Sequence, residues 1–163
     1  IKENGYWYYE QINLGFNFRM SDIHAALGIS QLKRIEKFIR YRNKISKFYR
    51  EKLKDLPISF QKMSIKLRSS YHLFVIKLLN KRNIQNYKKI FNFLRKNNIL
   101  VNLHYLPIHT HPYYKKFGFR EGDFLNAEKY SKSALSIPIY YGLKTNEQLL
   151  IIKKIKKALI KYS

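Results

Sequence analysis

Apolar residues recur at steps of three and four from Ser21 to about Asp55, the spacing of one face of an α-helix. The Ser21 hydroxyl can cap the helix start, and Asp22 complements the positive end of its dipole. We therefore predict a single long helix over residues 21–55, with a bend expected at Gly28. Such a helix is long for one small domain, so we expect it to join two bodies. The apolar positions are Ile23, Ala26, Leu27, Ile29, Leu32, Ile35, Phe38, Ile39, Ile45, Tyr49 and Leu53.

Downstream of Leu56-Pro57, stretches of helical and strand periodicity alternate. We predict strands over 58–60, 71–79 and 99–105, and helices over 84–94, from Asp123 onward and from a capping box at Thr145 onward. Pro138 restricts residues 135–139 to an edge strand or a non-strand segment. The connection over 106–122 is long enough to suggest a functional loop. Together these elements predict a small α/β domain over 56–163, the long helix over 21–55 and an irregular arm over 1–20.

The chain of 163 residues has a formal net charge of +23 and contains no cysteine. Disulfide frameworks and thiolate metal sites are thereby excluded, and no apolar run is long enough for a membrane span. No Asp or Glu occurs between Leu56 and Arg120. Such a charge could serve a nucleic acid or an anionic surface, but the cations are spread over every predicted helix. We therefore expect no nucleic-acid or membrane partner, and note that an anionic substrate would benefit from the same field.

The densest group of polar side chains lies in the long connection, where His104, His109 and His111 occur within eight residues. The spacing matches none of the standard zinc patterns and no acid is near in sequence, so we predict no metal site. Two interpretations stay open from the residues alone. One histidine could act as a general acid or base, because imidazole titrates near neutrality, or all three could simply pack within the loop.

Three stretches of the chain resemble one known family. Residues 14–28, LGFNFRMSDIHAALG, are similar to the G-[FY]-N-[FY]-R-[ML]-[ST]-[DE]-x-x-A-A-[LI]-G signature of the DegT/DnrJ/EryC1/StrS sugar aminotransferases, which use pyridoxal phosphate (PLP). Residues 104–114, HYLPIHTHPYY, followed by 122–128, GDFLNAE, resemble a second signature of that family. This second likeness fits especially the branch that acts on UDP-linked 4-keto sugars in pseudaminic acid assembly. Residues 134–140, ALSIPIY, resemble a third stretch, so the likeness runs through the whole chain in order.

The resemblance implies the C-terminal part of the fold type I PLP-dependent aminotransferase fold: a long interdomain helix that heads a small α/β domain. It implies a cytoplasmic homodimer whose active sites borrow residues across the interface. In that family Asn17 would reach the PLP phosphate of the neighbouring subunit, and Arg19 would contact either the cofactor phosphate or the substrate diphosphate. His104, Tyr105 and His109 would line the sugar pocket. The implied reaction moves an amino group, from glutamate, to a nucleotide-linked 4-keto-6-deoxy sugar for cell-surface polysaccharide.

One element that the family chemistry needs has no counterpart in this sequence. The lysine that forms a Schiff base with PLP precedes the Asn17 signature in the family, and the lysines present here match no family position. We therefore assign no catalytic residue and expect these 163 residues to be inactive alone. The partner that completes the site would be a second copy of the whole enzyme or a complementary N-terminal polypeptide. The alternative is a non-enzymatic basic remnant, or a module that binds nucleic acid or an anionic surface.

Overall fold

The computed structural model describes residues 7, 8, 10–16, 18–64 and 66–163. By its contacts the chain forms two compact units, residues 1–35 and 36–163. The first unit contains one described helix, α1 (Asp22–Leu32). Ser21 caps it as predicted: its Oγ accepts from the His24 backbone N–H at 3.4 Å and lies 2.8 Å from His24 Nδ1. None of the α1 side chains is buried within the described structure.

The single helix predicted over 21–55 is wrong, because two helices form there. After α1, Lys33 and Arg34 make a turn, and α2 (Ile35–Leu53) begins directly behind it. The Arg34 N–H donates to the Gln31 carbonyl at 3.0 Å, three residues back instead of four, and this tighter bond ends the regular α-helical turn. The bend was expected at Gly28, but the break lies later in the chain, at Lys33 and Arg34. That this region joins two domains stays a prediction.

The second unit is built on a three-stranded antiparallel sheet in the order β1-β2-β3. β1 (Ile58–Phe60) and β2 (Phe74–Leu78) lie within the predicted strands, and β3 (Ala134–Ile137) ends just before Pro138. In β2 the residues Phe74, Ile76 and Leu78 are buried, whereas Lys77 is exposed, as period-two alternation requires. Register pairs Phe74 with Ile137 and Ile76 with Leu135. One face of the sheet therefore carries the core.

The second unit contains α2 and further helices, three of which supply core residues. Beyond α2 they are α3 (Lys81–Gln85), α4 (Tyr87–Lys96), α5 (Pro112–Lys115), α6 (Leu125–Ser131) and α7 (Thr145–Lys161), with a short 3-10 helix at Ile108–Thr110. The largest share of the core comes from α2, α4 and α7, whose apolar stripes bury Ile45, Tyr49, Leu53, Ile90, Leu94, Ile151, Ile152, Ile155, Ala158 and Leu159. The result is a two-layer α/β unit.

Three further predictions need correction. The helix over 84–94 forms as α3 and α4, which meet at Asn86. The strand over 99–105 reduces to one bridge between Asn102 and Ser136. The N–H groups on either side of Asn102 donate to nearby acceptors, Val101 to Ile99 O at 2.8 Å and Leu103 to Asn102 Oδ1 at 2.9 Å. They are therefore not available to extend the bridge into a longer strand pairing. The N-cap of α7 is Lys144, one residue before the predicted Thr145, and its backbone N–H donates to Glu147 Oε2 at 2.7 Å.

Tyr49 provides a test of how α2 is fixed on the sheet. Its side chain is fully buried, its ring lies 5.4 Å from that of Phe74, and its hydroxyl donates to Pro138 O at 2.9 Å. Replacing Tyr49 by Phe leaves that carbonyl without its partner, so we expect the free energy of unfolding to fall by about 1–2 kcal/mol in urea titrations. Tyr113→Phe at an exposed position is the control.

Burial also raises the pKa of Tyr49 from its ordinary 10.0. The folded state therefore holds the phenol proton more tightly than the unfolded state, and the free energy of unfolding of the wild-type chain falls as pH rises above 10.0. The Tyr49→Phe variant lacks that step. Equal alkaline slopes for the two proteins would contradict the assignment.

Candidate functional site

His104 is fixed against the edge of the sheet. The loop that carries it follows the Asn102–Ser136 bridge, in which the two backbones exchange hydrogen bonds of 3.1 and 2.8 Å. His104 Nδ1 lies 2.8 Å from Ser136 Oγ, and the Tyr130 hydroxyl donates to His104 O at 3.3 Å. The adjoining Tyr105 ring stands almost perpendicular to the imidazole at a centroid distance of 4.8 Å. The imidazole is thus half-buried and oriented by β3.

His109 is held by a buried carboxylate. His109 Nε2 lies 2.9 Å from Glu128 Oε1, and both side chains are less than a tenth exposed. The same oxygen accepts from the Gly122 N–H at 2.7 Å. Gly122 has φ of +104°, a conformation that favours glycine and aims its N–H at the carboxylate. We call His109, Glu128 and Gly122 the His109 clamp.

The electrostatics of the clamp follow from these donors. The Gly122 N–H first, and His109 next, stabilise the charged carboxylate, so the pKa of Glu128 lies below its ordinary value of 4.5. Two segments far apart in sequence are thereby tied together. The clamp joins the 3-10 helix that carries His109 to the start of α6.

A cavity of about 510 Å³ opens between this loop and α6. Its walls are predominantly aromatic, and Tyr105 enters it from a position that is 71% exposed. The lining residues are Tyr105, Leu106, Pro107, Ile108, His109, Tyr114, Phe119, Phe124, Ala127 and Tyr130. Aromatic faces with phenolic hydroxyls suit a planar or ring-shaped ligand that combines apolar faces with polar edges. Because Glu128 occupies His109 Nε2, the cavity is better equipped for binding than for proton transfer through that atom.

The structure separates the predicted pocket residues. Tyr105 and His109 share the aromatic cavity, but His104 lines a second cavity of about 440 Å³ together with His72, Asn102, Ser136 and Glu147. Arg19 belongs to the first unit, where its exposed guanidinium forms no hydrogen bond or ion pair with any described residue. Asn17 lies outside the described residues. The roles assigned to all five side chains stay predictions.

Glu128 and Ser136 are the partners that sequence reasoning missed. Both stand in the matching motifs, yet no acid was expected beside the histidines, because Glu128 follows His109 by 19 residues. The one available signal was that Glu128 is the only acid besides Asp123 in the helix predicted from Asp123 onward. Among the described residues no group of three or more His, Cys, Asp or Glu could hold a metal ion. No helix of the described residues is long and apolar enough to cross a bilayer.

The described residues do not fit a self-contained PLP site. Such a site needs a lysine amine at the cofactor ring, whereas the described lysines are exposed apart from Lys154. Lys154 is half-buried, and its Nζ donates to Asn97 Oδ1 at 2.7 Å between α4 and α7. The exposed guanidinium of Arg19 suits a phosphate contact, because it presents several donors and has no carboxylate partner among the described residues.

Comparison with known proteins identifies what this arrangement resembles. A family model described as the DegT/DnrJ/EryC1/StrS aminotransferase family matches residues 2–156. A UDP-4-amino-4,6-dideoxy-N-acetyl-beta-L-altrosamine transaminase of Campylobacter jejuni is 32% identical over 160 residues, which cover 93% of this chain and 42% of the relative. The chain therefore spans about two fifths of the length of this curated relative.

Solved structures give the same result. The Helicobacter pylori aminotransferase PseC, involved in pseudaminic acid biosynthesis, superposes with a TM-score of 0.81 at 28% identity, over 96% of this chain and 42% of that one. The apo-form of the sugar aminotransferase Spr1654 of Streptococcus pneumoniae gives a TM-score of 0.86 at 25% identity, over 96% and 39%. The predicted fold class, part of the fold type I aminotransferase fold, is confirmed.

Proposed function

This chain belongs to the DegT/DnrJ/EryC1/StrS aminotransferase family, and on that premise we propose that it is the C-terminal part of a PLP-dependent sugar aminotransferase. The proposed enzyme transfers an amino group from glutamate to a nucleotide-linked 4-keto-6-deoxy sugar. It works in the cytoplasm, in a pseudaminic acid or related cell-surface polysaccharide pathway. The observation that carries the proposal is the aromatic cavity at Tyr105 and His109, formed by the same loop that carries a family signature.

The chain's own part in this reaction is binding and positioning. Tyr105 presents an exposed ring and hydroxyl at the cavity mouth, where a sugar or base can pack on its face. His109 is fixed by Glu128 and shapes the cavity wall. His104, oriented by Ser136, lines the neighbouring cavity and is the candidate for a hydrogen bond to a substrate hydroxyl. Asn17 and Arg19 supply donors for a phosphate or diphosphate.

PLP, when bound, supplies the electron sink that amino-group transfer requires. We propose that the lysine which carries it lies outside these 163 residues, as do the groups around its ring. The partner is a second copy of the full-length enzyme or a complementary N-terminal polypeptide. Residues 1–163 alone, mixed with PLP, are therefore expected to show neither the visible absorption of lysine-bound PLP nor turnover. Either signal would contradict this part of the proposal.

A hybrid protein tests the activity itself. The segment that precedes the match in the Campylobacter jejuni transaminase is joined to residues 1–163 of this chain, and glutamate consumption is followed with a UDP-linked 4-keto-6-deoxy sugar. We expect PLP-dependent turnover. The control is the same host joined to its own C-terminal part. A hybrid that folds and binds PLP but aminates no nucleotide-linked sugar would contradict the proposed function.

The alternative, a basic module without enzymatic activity, is favoured by one observation, the net charge of +23. It predicts a hybrid that never turns over together with steeply salt-dependent binding of DNA by the chain.

A further inference from the structure

The outward face of α7 carries a pattern that the proposed aminotransferase function does not use. Positions 149, 153, 156 and 160 recur at steps of four, three and four, so their side chains share one face of the helix. They are Leu149, Lys153, Lys156 and Ile160, all of them exposed, and Ile160 is 73% exposed. Lys157 and Leu150 lie beside this row and are also exposed. On this exposed surface two lysines therefore stand between two large apolar side chains.

The charge of this surface is not neutralised within the described structure. The only acid on α7 is Glu147 in its first turn, where it caps the helix. The neighbouring helix α4 contains no acid and adds Lys88, Lys89, Arg95 and Lys96. The ion pairs among described residues use the cations of Lys52, Arg68, His109 and Lys132, none of which belongs to α4 or α7. α4 packs against α7, and we call the exposed cations of these two helices, together with Leu149 and Ile160, the α4–α7 face.

We propose that the α4–α7 face docks on an anionic lipid bilayer as a peripheral contact. Cationic side chains interleaved with exposed Leu and Ile are the chemistry that binds the boundary between headgroups and acyl chains. The exposed row on α7 contains no aromatic residue on which a nucleic-acid base could stack, and the aromatic residues of α4 (Tyr87, Phe91 and Phe93) are partly buried against the core, so a nucleic acid is disfavoured as the occupant. The contact needs no membrane-spanning helix. It revises the expectation of no membrane partner, which came from the short apolar runs and from the spread of the cations over every predicted helix.

Vesicle sedimentation with the 163-residue chain tests the proposal. The chain is mixed with vesicles of pure phosphatidylcholine, or of phosphatidylcholine and phosphatidylglycerol in equal amounts. We expect binding to the anionic vesicles only, weakened by added salt. The triple variant Lys153→Gln, Lys156→Gln, Lys157→Gln is expected to lower the partition coefficient by about two orders of magnitude, since each lysine near such a surface contributes about fivefold.

A matched variant removes the same charge elsewhere: Lys115→Gln, Lys116→Gln, Lys129→Gln, three exposed lysines at the end of α5 and in α6. It should retain most of the binding. Ile160→Ser should weaken vesicle binding at unchanged charge and should not change the affinity measured for a single-stranded oligonucleotide. Circular dichroism melts confirm that every variant folds. Equal loss in both triple variants, no effect of Ile160→Ser, or tighter binding of the oligonucleotide than of anionic vesicles would overturn the proposal.

Discussion

Replacing Glu128 by alanine is expected to release the loop that carries His109 and to destabilise the second unit measurably. Glu128 Oε1 is the common acceptor for His109 Nε2 and the Gly122 N–H, so the truncation removes the acceptor of both donors and leaves the buried His109 imidazole unpaired. We expect the Gly122 amide to lose at least about tenfold in hydrogen-exchange protection, the size of a lost hydrogen bond to a charged acceptor. The thermal midpoint should fall by several degrees.

The Glu128→Gln variant distinguishes the effect of the side chain's shape from the effect of its negative charge. A glutamine oxygen can still accept from both donors, so we expect an intermediate loss. The matched control is Glu121→Gln, which breaks an exposed pair of 2.8 Å with Lys132 and should change little. Protection of the Gly122 amide that is unchanged in Glu128→Ala would contradict the assignment of the clamp.

Acidification tests the same clamp. The pKa of Glu128 is lower in the folded chain than its ordinary 4.5, so the unfolded state binds the proton first as pH falls. The stabilisation is therefore complete above pH 4.5 and is lost as pH falls through the lower folded value. The Glu128→Gln variant should show a shallower acid slope than the wild-type chain in urea titrations. Glu36, whose pKa is lowered by Arg68, contributes equally to both proteins.

Replacing Arg19 by alanine in the hybrid enzyme is expected to lower kcat/KM by about 10- to 100-fold, the loss of one or two charge-assisted hydrogen bonds to a phosphate. This prediction rests on the proposed function and on a guanidinium that has no ion-pair partner among the described residues. Arg19→Lys should recover only part of the loss, because an ammonium cannot bind a phosphate with two parallel donors.

Two measurements distinguish the ligands that Arg19 could bind. A weaker affinity for PLP with an unchanged KM for the nucleotide sugar indicates the cofactor phosphate, and the reverse indicates the substrate diphosphate. Arg82→Ala on α3, also exposed, is the control and should keep full activity. Full activity of Arg19→Ala would show that its place in the signature reflects another role.

The sequence by itself determined the family, the α/β class and most elements of the second unit. Those features depend on local chemistry. Alternation buries Phe74, Ile76 and Leu78. Steps of three and four place Ile152, Ile155 and Leu159 of α7 in the core, and Ser21 caps α1. The signatures around Arg19 and His104 depend on residue identity at fixed spacing, which a single chain displays in full.

Only the tertiary structure decided which groups meet. Glu128 reaches His109 and Ser136 reaches His104 across 19 and 32 residues, and no periodicity carries such pairings. The predicted strand over 99–105 does not form, because the N–H groups of Val101 and Leu103 donate to acceptors close by in the sequence. The predicted long helix is interrupted at Arg34, whose N–H donates to the carbonyl three residues back, at Gln31, instead of four residues back. The spacing of apolar residues predicts which face of an element is buried, because it depends on neighbours in the sequence. The partner of each polar group depends on which distant segments the fold brings together.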